Sequence, residues 1–342
     1  MPGTRERGRA IRHFILGQVD SNRKGIAHLT ATHFNISRQA VNKHLHRLVR
    51  EGLLTVEGTT RNRGYALAVL DQKSIFVPLT STTAEDHVWR EKIAPLLSDL
   101  PRRARDIWQY GFTEMLNNAI DHSSGTSVHV TIERTALSVK MDLMDDGEGI
   151  FRKIQRELNL FDERHSVLEL AKGKLTTDPD HHTGEGIFFT SRIFDEFYIR
   201  SGEVFFSHQN PKDEDWILEA PARPGTAVFL TLSNATERTT KEVFDEFASG
   251  EDYGFSKTVV PVGLVRYGDE ALISRSQAKR LLTRFERFRT VILDFEGIEQ
   301  IGQGFADEVF RVFAQEHPDI ELVPIKANAQ VRAMIGRVSS GR

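Results

Sequence analysis

The stretch Tyr110–Ser123, YGFTEMLNNAIDHS, constrains this chain more than any other. Phe112, Leu116 and Ile120 lie four residues apart with Met115 and Ala119 beside them, the pattern of a helix with one buried face. Glu114 and Asn118 are also four apart and project from a common face, one turn above the other. His122 extends that polar stripe. A carboxylate can take a proton from water, and an amide oxygen can help hold magnesium, a hard cation that prefers oxygen ligands. The same spacing also describes an ordinary amphipathic helix with a solvated polar face.

Two glycine-bearing stretches follow. Ser138–Met144, SVKMDLM, alternates and then turns apolar, as a strand entering a core does, and it runs into Asp145-Asp146-Gly147-Glu148-Gly149. Glycines after a strand let backbone approach a ligand closely, and a carboxylate there can accept a hydrogen bond from an amino group. Further on, Gly184 and Gly186 precede an apolar helical run, Ile187–Phe194. Free amides at a helix start attract phosphate. Each stretch alone also fits a plain turn or a glycine helix start.

Together, Glu114-x-x-x-Asn118-Ala119-x-x-His122, Asp145-x-Gly147-x-Gly149 and Gly184-x-Gly186 resemble the N, G1 and G2 boxes of the GHKL ATP-binding (Bergerat) fold. That α/β sandwich is shared by gyrase-type ATPases, histidine kinases and anti-sigma serine kinases. The resemblance covers roughly Arg90–Ala235. It implies ATP and Mg2+ as cofactors, with Asn118 as magnesium ligand, Asp145 on the adenine amino group and Glu114 at the position of the general base. Gly147, Gly149, Gly184 and Gly186 would shape the pocket and phosphate loop, joined by His122 and Thr183 from the same boxes. Gly225-Thr226 resembles the family's late Gly-Thr pair, whose Thr approaches adenine.

Between Phe151 and Thr183 the chain is polar and weakly periodic. The segment stands where the family has its ATP lid, and Lys172 and Lys174 could reach phosphates from it, or remain solvated. Asp178, Asp180, His181 and His182 lack the ligand spacing of a dedicated transition-metal site.

The chain has 342 residues, enough for two or three domains, with 39% hydrophobic and 27% charged residues and no cysteine. Disulfides, zinc-thiolate sites and thiol catalysis are therefore excluded. No run approaches transmembrane length and no signal peptide is visible, so a cytoplasmic protein without membrane contact is expected. The net charge of -3 hides an asymmetry. Residues 1–70 carry 12 Lys and Arg against 4 Asp and Glu, a net of +8, while the rest carry 33 against 44, a net of -11. A basic head on an acidic body is the electrostatic footprint of a nucleic-acid-binding module.

That head, 1–70, reads as three helices and a hairpin. Ile11, Phe14, Ile15 and Val19 make one apolar face, Ile26–Phe34 is a second helix, and Ser37 can N-cap a third whose Val41, Leu45 and Leu48 face inward. Its other face shows Arg38, Gln39, Asn42, Lys43 and His46, which can reach base edges or phosphates. Leu53–Val56 and Tyr65–Val69 read as strands around a tip carrying Arg61 and Arg63. The head resembles a winged helix-turn-helix domain over Arg7–Leu70, which implies DNA as a partner and favours a homodimer or a second module for specific binding. A winged helix used for protein contact is the alternative.

Residues 71–89 read as a linker with an extended start, followed by an ATP-binding domain over 90–235. A connecting helix occupies 236–250 and a small α/β domain 251–342. In the last, Asp294-Phe295-Glu296-Gly297-Ile298, then Ile301 through Glu308, resembles the STAS fold of anti-sigma antagonists, or more closely a STAS-like domain found after GHKL domains. Where antagonists present a phosphorylatable Ser, this chain has Gly302-Gln303-Gly304, so a docking or dimerisation role with a protein partner is expected. The fold class is multidomain, α+β and α/β. The expected function is an ATP-binding, DNA-associated regulator; the alternative is an anti-sigma-type serine/threonine kinase acting on a separate partner. A histidine kinase lacks room for its dimerising helix pair, and a scaffold with vestigial ATP binding sits poorly with intact Glu114, Asn118 and Asp145.

Overall fold

The computed structural model describes residues 4–59, 62–175, 184–210, 214–248, 255–266 and 270–339. The chain divides into two compact units. One comprises residues 1–75, 130–142 and 231–236; the other comprises 76–129, 143–230 and 237–342.

The first unit begins with α1 (Thr4–Gln18), α2 (Ile26–Phe34) and α3 (Arg38–Arg50). Apolar side chains at helical spacing bring Ile11, Ile15 and Val19 against Ile26, Val41, Leu45 and Leu48 in a single core. The turn between α2 and α3 is sharp because Asn35 takes the left-handed conformation, φ 48°, which asparagine tolerates better than most residues. Ser37 then caps α3, its Oγ accepting from the Ala40 amide at 3.2 Å. An antiparallel hairpin follows, β1 (Leu54–Glu57) and β2 (Gly64–Leu67), registered with Leu54 opposite Leu67 and Val56 opposite Tyr65. It is tied back where Asp20 accepts from the Leu67 amide at 3.2 Å.

The principal sheet has five strands in the order β3-β4-β5-β7-β6. They are β3 (Asp71–Pro78), β4 (Ser127–Arg134), β5 (Ser138–Asp145), β6 (Glu196–Gln209) and β7 (Glu214–Ser233). Residues 71–78, expected as the extended start of a linker, are thus a strand at one edge of this sheet. Burial alternates along β4 and β5, with Val128, Val130, Ile132, Val139, Met141 and Leu143 inward.

In the second unit, α4 (Glu85–Val88) continues through a wide turn and a 3₁₀ turn to Leu97, and Pro101 starts α5 (Arg102–His122). Trp108 and Phe112 of α5 are fully buried, Trp108 against Phe194 at 4.8 Å between ring centres and Phe112 against Trp89 at 5.8 Å. The segment expected to be a polar loop instead holds α6 (Ile150–Glu157) and α7 (Glu163–Lys172). Its weak periodicity has a physical cause: α7 is buried nearly all round, including Glu169 and Lys172, so it carries no polar face to alternate with. Then come α8 (Gly186–Ile193) and α9 (Thr240–Phe247), the latter opened by a capping box of Thr239 and Glu242.

The C-terminal domain is a three-stranded parallel sheet in the order β10-β9-β8, with β8 at Lys257–Pro261, β9 at Thr290–Asp294 and β10 at Glu321–Ile325. Around it lie α10 (Arg275–Leu282), α11 (Gln303–Asp307), a wide turn (Glu308–Phe313) into α12 (Ala314–Glu316), and α13 (Ala329–Ser339). Gly302 precedes α11 in close contact with the loop opposite: a Cβ there would stand 2.7 Å from the Ile273 Cα. A side chain at Gly302 is therefore excluded by packing.

Candidate functional site

Asp145 ends β5, and the next residues turn sharply beneath it. Gly147 presses on the Ser123 carbonyl with no room for a Cβ, and this contact lets the loop fold back over the end of α5. Asp145 Oδ1 accepts from the Gly147 amide at 2.9 Å and the Thr226 amide at 3.1 Å. The Thr226 Oγ1 accepts from the Ile150 amide at 3.0 Å and also bonds the Asp145 carboxylate. The carboxylate is therefore held at one oxygen by two backbone amides. Burial raises its pKa from the ordinary aspartate value, against the hydrogen bonds that lower it.

The motif assigned the adenine role to Asp145 and gave Asp146 none. Asp146 points elsewhere and takes four hydrogen bonds, from the amides and hydroxyls of Thr126 and Ser127, at 2.6 to 3.0 Å. These hold its carboxyl well below the ordinary range and make it a clasp for the start of β4.

Asp145 opens onto a cavity of about 300 Å³. Glu114, Asn118, His122 and Thr226 line it, and so do Gly184 and Gly186 at the start of α8. Three separate sequence stretches thus converge on one concave space, with apolar Met115, Ile154, Leu170 and Val228 completing its wall. The Nδ2 of Asn118 is buried with no hydrogen-bond partner among the described residues. A buried amide left unpaired costs about 1–3 kcal/mol, so a ligand that pairs it is favoured by that amount. A half-turn exchanges Nδ2 for Oδ1 without steric change, so the same position can offer an oxygen to a hard cation.

Glu114 lies across from α8, its carboxylate occupying the space where a side chain on Gly186 would go. Burial and the negative charges of Glu114 and Glu185 raise the Tyr110 pKa, so this phenol stays protonated beside the two carboxylates. Gly149, at φ 95°, carries the turn into α6.

Lys172 and Lys174 do not join the cavity. Lys172 is fully buried and donates to Glu169 Oε1 at 2.6 Å and to the Thr283 carbonyl at 2.8 Å. Burial lowers its pKa to about 8 while Glu169 raises it. Lys174 donates to the Arg287 carbonyl at 3.0 Å. An ammonium needs a partner when it leaves water: Lys172 has Glu169 of its own helix and the Thr283 carbonyl, and Lys174 has the Arg287 carbonyl. Thr183 lies outside the described residues, as do Asp178, Asp180, His181 and His182.

One cavity cation escaped sequence reasoning. Lys153 of α6 lines the space and donates to the His122 carbonyl at 2.9 Å. Its place four residues past Gly149, one turn into the helix, was the available signal. Asn117, Ser123 and Glu185 also line the cavity.

On α3, Arg38, Gln39, Asn42, Lys43 and His46 are all exposed on the side away from Val41, Leu45 and Leu48. Arg63 is exposed beside the hairpin, and Arg61 lies outside the described residues. No helix among the described residues is long and apolar enough to cross a membrane.

Comparison with known families agrees with this geometry. No curated protein matches the chain. A model of the histidine kinase-like ATPase domain matches residues 79–204, and a model of a STAS-like domain of unknown function (DUF4325) matches residues 277–332. The cavity lies largely within the first match, from Glu114 through Ile199, with Thr226 and Val228 supplied just beyond it. The chain thus carries a GHKL-like, histidine-kinase-like ATPase domain followed by a C-terminal STAS-like domain.

Proposed function

We propose that this protein is a nucleotide-responsive regulator, in which Mg-ATP binding or hydrolysis controls a DNA-binding head and a C-terminal protein-interaction domain. The observation that carries the reading is the meeting of Asp145, held at one oxygen by backbone amides, with the unpaired amide of Asn118 and the glycine start of α8 around one cavity. Asp145 would accept a hydrogen bond from the adenine amino group, with Thr226 beside it, and the amides at Gly184 and Gly186 would hold the phosphates. Asn118 supplies oxygen to magnesium, whose charge offsets that of the phosphates. Glu114 orients the attacking nucleophile and takes its proton at the carboxylate. His122 and Lys153 border the same polar end.

The head is a winged helix-turn-helix with α3 as recognition helix. Its support is the exposed row Arg38, Gln39, Asn42, Lys43 and His46, with Arg63 at the wing. A single such head makes few contacts, so a homodimer is favoured for specific sites.

The test follows γ-labelled phosphate from Mg-ATP with pure protein, with and without DNA and with a protein extract. Free phosphate that disappears in Glu114→Ala supports an ATPase switch, and stimulation by DNA ties it to the head. Label on an extract protein replaces the regulator with the kinase reading. Unchanged ATP affinity in both Asn118→Ala and Asp145→Ala removes the nucleotide site.

A further inference from the structure

The nucleotide cavity is bounded on one side by Leu170, Leu175 and Gly184. The Leu175 amide donates to the Gly184 carbonyl at 3.0 Å, so the end of α7 and the start of the phosphate-facing loop are pinned to one another. What holds Leu175 comes from more than a hundred residues away. The carbonyl of Lys174, its immediate neighbour, accepts from Arg284 and from Arg287, the latter at 3.0 Å. Lys174 returns a bond from its ammonium to the Arg287 carbonyl. One turn back, Thr258 of β8 donates to the Lys172 carbonyl at 2.7 Å, and Arg284 pairs with the buried Glu169 at 3.2 Å.

Backbone conformation on both sides of this contact needs external support. Lys174 sits at φ 51° and Arg284 at φ 64°, in the left-handed region that side-chain-bearing residues occupy only when their surroundings hold them there. Gly173, at φ 79°, is backed by the Phe255 ring with no space for a Cβ. The end of α7 therefore has its geometry set by the C-terminal domain rather than by its own helix.

We infer that Arg284 and Arg287 of the STAS-like domain are positioning residues for the nucleotide cavity, fixing Leu175 and Gly184 through the Lys174 carbonyl. The inference rests on the nucleotide reading above and adds the route by which the C-terminal domain acts on it. A partner that shifts the α10–β9 loop (residues 283–289) changes the phosphate end of the cavity and leaves Asp145, at the adenine end, in place. By linkage the effect is reciprocal: bound ATP strengthens the same contact.

The test uses the full chain and three variants, Arg287→Ala, Arg287→Lys and Arg284→Ala. Dissociation of a fluorescent ATP with Mg2+ is followed by stopped flow, adenosine affinity by calorimetry, and Tm by scanning. Arg287 is exposed, so its removal leaves the fold intact. Arg287→Ala is expected to speed ATP release by about two- to tenfold, the effect of one hydrogen bond, with adenosine affinity and Tm unchanged. Arg287→Lys restores part of the loss, because an ammonium can still donate to the carbonyl. Arg284→Ala speeds release further and lowers Tm, since Glu169 loses a buried partner. Wild-type release in both alanine variants overturns the inference while leaving the nucleotide site standing. Parallel loss of ATP and adenosine binding with a fall in Tm also overturns it, by reducing both residues to structural props. A wild-type chain that binds neither ligand removes the nucleotide reading, and the inference falls with it.

Discussion

Two helices of this protein carry the same sequence device and meet opposite fates. In α3, Arg38, Asn42 and His46 stand four apart; in α5, Glu114, Asn118 and His122 do so. Both rows share a face, and both helices bury the opposite one. The row on α3 is exposed, whereas the row on α5 lines a concave cavity and leaves the Asn118 Nδ2 buried without a hydrogen-bond partner among the described residues. The four-residue spacing tells which side chains act together. It does not tell whether they face water or a walled space, because that depends on what packs beside them. Here β5, α6 and α8 supply the wall around α5.

The sharpest way to test that contrast is to remove one side chain from the row on α5. Glu114→Ala is expected to lower phosphate release by about 10²- to 10⁴-fold, the range for a lost general base, while ATP binding persists. Normal turnover in that variant would put Glu114 on the same footing as the solvated residues of α3. Next in size is Asp145→Ala, with ATP affinity down by about 10- to 150-fold, the worth of a hydrogen bond to a charged acceptor, measured by calorimetry.

The exposed row should respond differently, through salt rather than through chemistry. Arg38→Ala combined with Lys43→Ala is expected to reduce the slope of log affinity for DNA against log salt by about two, one for each lost phosphate contact. An unaltered slope would reassign this face to protein contact. Ser37→Ala is expected to lower the stability of the head by about 1 kcal/mol in denaturant titration, because the Ala40 amide loses its cap.

A smaller effect concerns pH. Burial raises the Asp145 pKa, so the folded state holds that proton more tightly than the unfolded chain. Folding stability contributed by the protonated form is lost as pH rises from the unfolded pKa to the folded one. The ionised acceptor proposed for adenine appears over the same rise. ATP affinity should therefore weaken on acidification at a higher pH than an unburied aspartate would give, and Asp145→Asn should abolish that dependence. Loss of affinity only at ordinary carboxylate pH would place the titrating group elsewhere.

Much of this was legible because it depends on local rules. The periodicity of α3 and α5, the cap at Ser37, the alternation in β4 and β5, and the glycines after β5 and before α8 each follow from which conformations neighbouring residues allow. The three-box order pointed to one cavity because a glycine turn after a strand and a glycine start to a helix both present free backbone. Residues 71–78 were harder. Alternation along β3 is incomplete, with only Val77 fully buried, as befits an edge strand with few inward neighbours.

What the sequence by itself determined was the helices of the head, α5, β4, β5 and the three motifs, since backbone sterics and side-chain spacing act within a few residues. The motif singled out Asp145, and tertiary structure alone decided that its neighbour Asp146 clasps Thr126 and Ser127. It alone decided that Lys172 is paired with Glu169 and Thr283 rather than offered to phosphate, and that Lys153 lines the cavity instead. A charge goes where its desolvation is best compensated, and the compensating groups lie up to 111 positions away in the chain.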